Sequence, residues 1–146
     1  MPPEETPFDD LLETLKKVTG LLRDADIPFL LGGGFAVWAR GGPETVHDID
    51  LIFGPSGQPI EDAVFDRAEE LNVYAVPMQV MALEDVFVTK LNAMREHEMD
   101  YESVVQMARP VREQVDWTNV RERTNRSPFA AAFFTLGEEL GILEVA

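Results

Sequence analysis

Two aspartates at the start of an apolar segment are the residues of this chain best suited to chemistry. Asp48 and Asp50 flank Ile49 and lead into Leu51–Phe53, a pattern typical of a β-strand. Successive side chains of a strand alternate between its two faces, so both carboxylates project to the same side. Like charges at that spacing repel unless a cation neutralises them, and the pair therefore predicts a Mg²⁺ site.

Three glycines upstream form the second part of the pattern. Gly32–Gly34 follow the apolar residues Phe29–Leu31 and precede a helical segment, Phe35–Arg40. Glycine lets the backbone turn sharply and approach a ligand closely, while the free N–H groups that open a helix favour a phosphate. The sequence predicts a phosphate-binding turn near the Mg²⁺ site.

The same residues also have purely structural interpretations. Gly32–Gly34 could form a tight turn with close backbone packing, and Asp48 and Asp50 could be exposed acids beside a turn. Strand alternation directs His47 away from both aspartates, which favours a polar surface role for it.

Three later polar residues are open to a similar choice. Lys90 lies in a predicted helix and could be a solvated side chain or a phosphate contact. His97 and Asp100 could form a base and its orienting acid, but Glu96–Asp100 is more typical of a polar loop between helices.

Hydrophobic spacing and turn residues predict the elements that position these groups. The first part of the chain is predicted to contain helices Phe8–Asp24, Phe35–Arg40 and Glu61–Leu71 and strands Ile27–Leu31, Asp48–Phe53 and Val73–Val80. Pro77 in the third strand suggests an edge position. From Leu83 onward the pattern is helical: Glu84–Arg95, Tyr101–Ala108 ending before Pro110, Asp116–Arg123, and a last helix with Ser127 as N-cap, Pro128 in its first turn and Gly141 at its stop.

These elements predict an α/β (α+β) fold with about three strands and a helical C-terminal segment; that the sheet is mixed is implied only by the family resemblance described below. We expect one domain, residues 1–146, made of a core over residues 1–82 and helices over residues 83–146.

Composition narrows the classes of partner and compartment. With 27 acidic and 12 basic residues the formal charge is −15, which disfavours general binding to nucleic acid or to anionic membranes. The chain lacks cysteine, and its N-terminal residues lack the basic and apolar regions of a signal peptide. We expect a soluble, cytoplasmic protein.

The motifs resemble those of a known family. A strand, a Gly-Gly turn and Thr45–Asp50 with its Asp-x-Asp, followed later by Glu84–Leu91, resemble the nucleotidyltransferase fold of the DNA polymerase β superfamily in its small bacterial forms. The likeness is greater to the uncharacterised and toxin–antitoxin-related branch than to drug-modifying enzymes. It implies a minimal nucleotidyltransferase-like sheet.

The resemblance also implies an activity and its residues. It is the Mg²⁺-dependent transfer of a nucleoside monophosphate from a nucleoside triphosphate to an acceptor of unknown identity. Asp48 and Asp50 would bind one or two Mg²⁺ ions, Gly32 and Gly33 would contact the phosphates, and Lys90 would neutralise phosphate charge.

One departure from the family pattern bears on catalysis. The family has a third metal-binding carboxylate on a further strand, but the predicted strand Val73–Val80 contains no acid. Asp50–Gly57 looks like that later strand joined directly to the Asp-x-Asp strand. We hypothesise that an internal segment is missing relative to other members.

Two alternatives follow. A catalytically impaired member of the same fold could act as a binding module for a protein partner or a second copy of itself. A dinucleotide site is disfavoured, because the third glycine position of that fingerprint is Val37 and the acid lies at the wrong end of the second strand.

Overall fold

A computed structural model describes residues 6–45, 49–52 and 62–144. These residues form a four-stranded mixed sheet with α-helices, which confirms the predicted mixed α/β class. In chain order the elements are α1 Pro7–Asp24, β1 Leu30–Leu31, α2 Gly33–Trp38, β2 Leu51–Ile52, α3 Asp62–Arg67, β3 Glu69–Val73, β4 Val76–Val80, α4 Leu83–Asn92, α5 Tyr101–Val111, α6 Trp117–Arg123 and α7 Pro128–Glu139, with a short 3₁₀ turn, Arg112–Gln114, after α5.

The first helix begins at a reciprocal cap. The Thr6 hydroxyl accepts from the Asp9 amide at 3.2 Å, while the Asp9 carboxylate accepts from the Thr6 amide at 2.9 Å. Phe8 then stacks on Phe35 at 5.8 Å and meets Trp38 edge-on at 5.0 Å between ring centroids. Through these rings α1 packs against α2, the helix that follows the glycines.

The sheet has the strand order β2-β1-β4-β3. Within it β1 pairs antiparallel with β2, Leu31 opposite Leu51, and parallel with β4, Leu31 opposite Val80. Both residues of β1 are fully buried. The chain therefore leaves the middle of the sheet directly into the glycine turn.

The predicted helix Glu61–Leu71 is wrong in extent, whereas the third strand predicted within Val73–Val80 is confirmed as β4 and pairs with an additional strand, β3. Helix α3 ends at Arg67, and β3 and β4 form an antiparallel hairpin in which Leu71 pairs with Met78. The hairpin turn is Tyr74-Ala75, with φ of +51° and +61°. Leu71 fits a helical spacing with earlier apolar residues, but cross-strand pairing places it in the sheet instead.

The edge position expected from Pro77 is also wrong, because β4 lies between β1 and β3. Proline is tolerated there for a local reason. The two-residue strand β1 pairs with β4 at Val80, so among the described strands none extends alongside Pro77 on that side to require its missing N–H.

The C-terminal helices mostly follow their local signals. The Ser127 hydroxyl accepts from the Ala130 amide at 3.2 Å, Pro128 opens α7, and Gly141 has a φ of +69° just beyond its end, as predicted. The predicted stop before Pro110 is wrong, since α5 continues through Pro110 to Val111 before tightening into the 3₁₀ turn.

Helix α4 lies at the centre of the apolar core. Phe87 of α4 contacts Trp117 of α6 at 4.9 Å, and Trp117 contacts Phe133 of α7 at 6.1 Å between ring centroids. The same cluster of buried side chains includes Leu31 and Val80 of the sheet. Within the described ranges, no helix is both long enough and apolar enough to cross a bilayer.

Candidate functional site

The glycine turn is held by backbone hydrogen bonds on both sides. Gly32 is extended, and its amide donates to the carbonyl of Asp50 at 2.8 Å. On the other side, the Met81 amide at the end of β4 donates to the carbonyl of Leu31 at 2.8 Å. The turn is therefore fixed between the residue that precedes β2 and the residue that follows β4.

Asp50 lies directly against Gly33. Gly33 has a φ of +58°, a left-handed conformation that glycine adopts at little cost. A Cβ atom at Gly33 would lie 2.8 Å from Cγ of Asp50 and would overlap its carboxylate oxygen. The missing side chain thus provides both the turn and the space for the Asp50 carboxylate, whose residue is exposed to solvent.

The other half of the predicted aspartate pair cannot be placed. Asp48 and His47 lie outside the described residues. The prediction that Asp48 and Asp50 share one face therefore stays a prediction. Of the two aspartates, the structure describes Asp50, which lies beside the glycine turn.

Thr45 is a neighbour of the turn that the sequence did not assign to the site. A Cβ atom at Gly34 would lie 3.0 Å from Cβ and 3.1 Å from Oγ1 of Thr45. Thr45 is half-buried. Its position in the Thr45–Asp50 motif was the available signal, but spacing alone does not show that it packs on Gly34.

Asp50 and Lys90 line one cleft of about 560 Å³. Lys90 is half-buried on α4, and Gly34 and Thr45 complete the wall beside the turn. Across the cleft lies the first half of α5, with Asp100, Glu102, Ser103 and Gln106 among its lining residues. The structure therefore brings Asp50, Lys90 and Gly34 of the glycine turn to one cavity.

The α5 wall was not predicted. Glu102 and Gln106 are one helical turn apart, and the Gln106 amide donates to the Glu102 carboxylate at 3.4 Å. Asp100 caps the helix by accepting from the Ser103 amide at 3.1 Å. The polar stripe of α5 was the signal available in the sequence, but its direction depends on how α5 packs.

The cleft is acidic. Glu44, Asp50, Asp100 and Glu102 line it against a single lysine, Lys90, among the described lining residues. Such surroundings attract a cation and penalise a free anion. Carboxylate oxygens are also the ligands that Mg²⁺ prefers, so the charge of the cleft favours a divalent cation, and Asp50 is the candidate ligand that the structure describes.

Among the described residues, no third carboxylate forms a metal-binding group with Asp50. The additional strand β3 does carry acids, Glu69 and Glu70, but two strands, β1 and β4, separate it from β2. Glu69 instead contacts Arg40 at 3.4 Å. Over the parts of the chain that the structure describes, no three Asp, Glu or His side chains form a group that could hold a metal ion.

The loop interpretation of His97 is confirmed. Residues 93–100 form turns and an isolated bridge between Arg95 and Glu98, and both His97 and Asp100 are exposed. Asp100 acts as the cap of α5 and not as an orienting acid for the histidine.

A buried carboxylate outside the cleft was missed by sequence reasoning. Asp85 in the first turn of α4 accepts from Arg67 Nε at 2.9 Å and Nη2 at 2.8 Å, and from Arg123 Nη2 at 2.6 Å. Burial raises the pKa of Asp85, but the hydrogen bonds and positive charges of the two arginines outweigh burial, so its pKa lies below the ordinary value. This cluster, which we call the Asp85 clamp, joins α3, α4 and α6.

Comparison with known families adds a finding that is independent of the glycine turn. Residues 56–132, just over half of the chain, match a family described as "Nucleotidyl transferase of unknown function (DUF2204)". The chain belongs to this family. The matched residues include Lys90 and the α5 wall but neither the glycines nor Asp50.

Searches of curated proteins and of solved structures find no match to this chain.

Proposed function

We propose that this protein is a Mg²⁺-dependent nucleotidyltransferase of the DNA polymerase β superfamily type. It transfers a nucleoside monophosphate from a nucleoside triphosphate to an acceptor hydroxyl or phosphate. The observation that carries the proposal is the contact of Asp50 with Gly33 at the end of β1, in a cleft that also holds Lys90. Membership of a family described as nucleotidyl transferases supports the same chemistry.

Each residue has a role that follows from its position. Gly32 and Gly33 would contact the phosphates through their backbone, at a turn in which Gly33 adopts a left-handed conformation and leaves its side-chain space to Asp50. Asp50, together with Asp48, would hold Mg²⁺. Lys90 places a positive charge in the same cleft, where it offsets part of the charge of the triphosphate.

The transfer itself requires little covalent chemistry from the protein. The acceptor oxygen attacks the α-phosphorus, the bond to pyrophosphate breaks, and the acceptor proton is lost to a base or to water. Bound Mg²⁺ would supply Lewis-acid stabilisation of the charge on the phosphate oxygens. The chain contributes positioning of both reactants and a fixed electrostatic environment.

A label-transfer assay tests the proposal. The protein is incubated with Mg²⁺ and each α-³²P-labelled nucleoside triphosphate, in the presence of a cell extract as the source of acceptors, and pyrophosphate release is measured in parallel. We expect labelled product and pyrophosphate with the wild type and a loss of at least about 100-fold with Asp50→Asn. The matched control is Asp24→Asn, since Asp24 is an exposed aspartate at the end of α1.

The outcomes separate the two classes of function. Transfer by the wild type and by Asp24→Asn, but not by Asp50→Asn, supports the enzyme. Equal label transfer by Asp50→Asn contradicts the proposed role of Asp50. Absence of transfer with every nucleotide favours the alternative of a non-catalytic binding module.

A further inference from the structure

A second cavity, of about 420 Å³, adjoins the acidic cleft. Asp50 and Lys90 line both cavities, and Gly33 lines the second. We call the second cavity the apolar slot, because six of its lining side chains are apolar: Ile49, Leu51, Ile52, Met81, Val86 and Ala93.

The two cavities differ in chemistry. The acidic cleft is lined by four carboxylates and one lysine, whereas Asp50, Lys90 and Thr89 are the polar side chains among the described lining of the apolar slot. The Thr89 hydroxyl donates to the carbonyl of Asp85 at 2.7 Å, so its proton is already used. Asp50 and Lys90 thus lie at the boundary between the acidic cleft and the apolar slot.

We propose that the apolar slot binds the nucleobase of the nucleoside triphosphate, an inference that rests on the proposed function. A nucleoside triphosphate joins a strongly charged tail to a flat ring with apolar faces. If its phosphates lie at Gly33, Asp50 and Lys90, the ring has two directions available, the acidic cleft or the apolar slot.

Burial of the ring is more favourable in the apolar slot, because fewer polar groups line it than line the acidic cleft. The faces of the ring gain from contact with half-buried aliphatic side chains such as Ile49 and Leu51, and the slot volume is within the range of small-ligand pockets. The acidic cleft is then left for the acceptor. In this arrangement the phosphates lie at Asp50 and Lys90, the two residues that line both cavities.

The slot can be blocked without touching the phosphate contacts. Thr89 is exposed on α4 and lines the apolar slot but not the acidic cleft, so Thr89→Trp fills the slot with a large ring. Thr14→Trp is a matched control, since Thr14 is also an exposed helical threonine, with its hydroxyl donated to the carbonyl of Asp10 at 2.9 Å. Ile49→Ser removes an apolar wall without adding bulk, and it replaces Thr89→Trp if that variant does not fold.

Binding is measured by isothermal titration with the Mg²⁺ complexes of ATP, GTP, CTP and UTP, and with Mg²⁺-tripolyphosphate, which has no base. We expect Thr89→Trp to weaken binding of the preferred nucleotide by at least about tenfold while changing tripolyphosphate binding by less than about twofold. Thr14→Trp should leave both unchanged.

Two contrary results are distinguishable. If the wild type, Thr89→Trp and Ile49→Ser bind the nucleotide equally well, the slot assignment is overturned and the proposed function stands. If the wild type binds neither nucleotide nor tripolyphosphate, the proposed function fails and the slot assignment fails with it.

Discussion

Gly33 is the residue on which the geometry of the site depends most. Its φ of +58° is accessible to other residues only at a cost, and the space where its Cβ would lie is taken by the Asp50 carboxylate. Asp50 is exposed, so its side chain can move away from an added methyl group. A substitution at Gly33 should therefore weaken ligand binding as well as lower stability.

We expect Gly33→Ala to lower the free energy of unfolding by about 1–2 kcal/mol, the cost of the left-handed conformation for alanine. The displaced Asp50 carboxylate should reduce the affinity for Mg²⁺-nucleotide by about tenfold or more. Urea denaturation and isothermal titration measure the two effects on the same sample.

Gly141→Ala is the matched control for this substitution. Gly141 has a similar φ of +69°, but nothing lies within 4 Å of the place of its Cβ. We expect Gly141→Ala to lower the free energy of unfolding by a similar amount and to leave the affinity for Mg²⁺-nucleotide unchanged. If Gly33→Ala binds Mg²⁺-nucleotide as tightly as Gly141→Ala does, the contact between Gly33 and Asp50 has no part in binding.

At the residue scale, the sequence predicts contacts between residues that flank two neighbouring strands. Gly32 and Asp50 flank the paired strands β1 and β2, so an apolar strand ending in glycine and a second strand beginning after an acid place them together. The contact of Thr45 with Gly34 could not be predicted, because it depends on the path of residues 39–45 after α2.

At the scale of elements, the Asp85 clamp holds the helix that carries Lys90. Arg67 ends α3, Asp85 lies in the first turn of α4, and Arg123 ends α6. Asp85 is only 3% exposed, whereas the side chains of Arg67 and Arg123 are 42% and 32% exposed. The carboxylate is therefore the buried partner, and its removal leaves two arginines that water can still reach in part.

We expect Asp85→Asn to lower the free energy of unfolding at pH 7 by about 2–4 kcal/mol, somewhat less than for a fully buried ion pair. Because the folded-state pKa of Asp85 lies below its unfolded value, this stabilisation is complete above the unfolded pKa, about 3.9, and is lost as pH falls through the folded pKa. The difference between wild type and Asp85→Asn in urea denaturation should therefore narrow below about pH 4.

The control for the clamp is an exposed ion pair of the same type. Arg121 and Glu138 are 3.1 Å apart, with side chains 50% and 42% exposed, so Glu138→Gln should cost less than about 1 kcal/mol at pH 7. Equal costs for Asp85→Asn and Glu138→Gln, or a gap that does not change with pH, would show that the clamp contributes little as a charged cluster.

Elements with local signals were predictable, and those set by distant contacts were not. Ser127, Pro128 and Gly141 mark the ends of α7 through capping and backbone conformation, which depend on a few adjacent residues. The β3–β4 hairpin was missed because its turn, Tyr74-Ala75, is left-handed without glycine or asparagine. The clamp was missed because Arg123 lies 38 residues from Asp85.

At the scale of the whole molecule, charge decides the form in which a nucleotide can bind. The chain carries a formal charge of −15, and the acidic cleft has the same sign. A free triphosphate is repelled by both, whereas Mg²⁺ is attracted and cancels part of the triphosphate charge. A nucleoside triphosphate that enters this cleft should therefore bind together with Mg²⁺.

The sequence predicted the fold class of the whole molecule but not the charge of the cleft. The α/β class followed from the alternation of strand and helix patterns, and the family match supports nucleotidyl transfer. The acidity of the cleft was not predictable from net charge, because Glu44, Asp100 and Glu102 come together only when α5 packs opposite the turn.

The most direct test of the central claim is isothermal titration of the wild type and Asp50→Asn with nucleoside triphosphate, in excess Mg²⁺ and again in EDTA. We expect binding by the wild type in Mg²⁺, at least about tenfold weaker binding in EDTA, and a similar loss for Asp50→Asn in Mg²⁺. Wild-type binding that is unchanged by EDTA and by Asp50→Asn would contradict the claim.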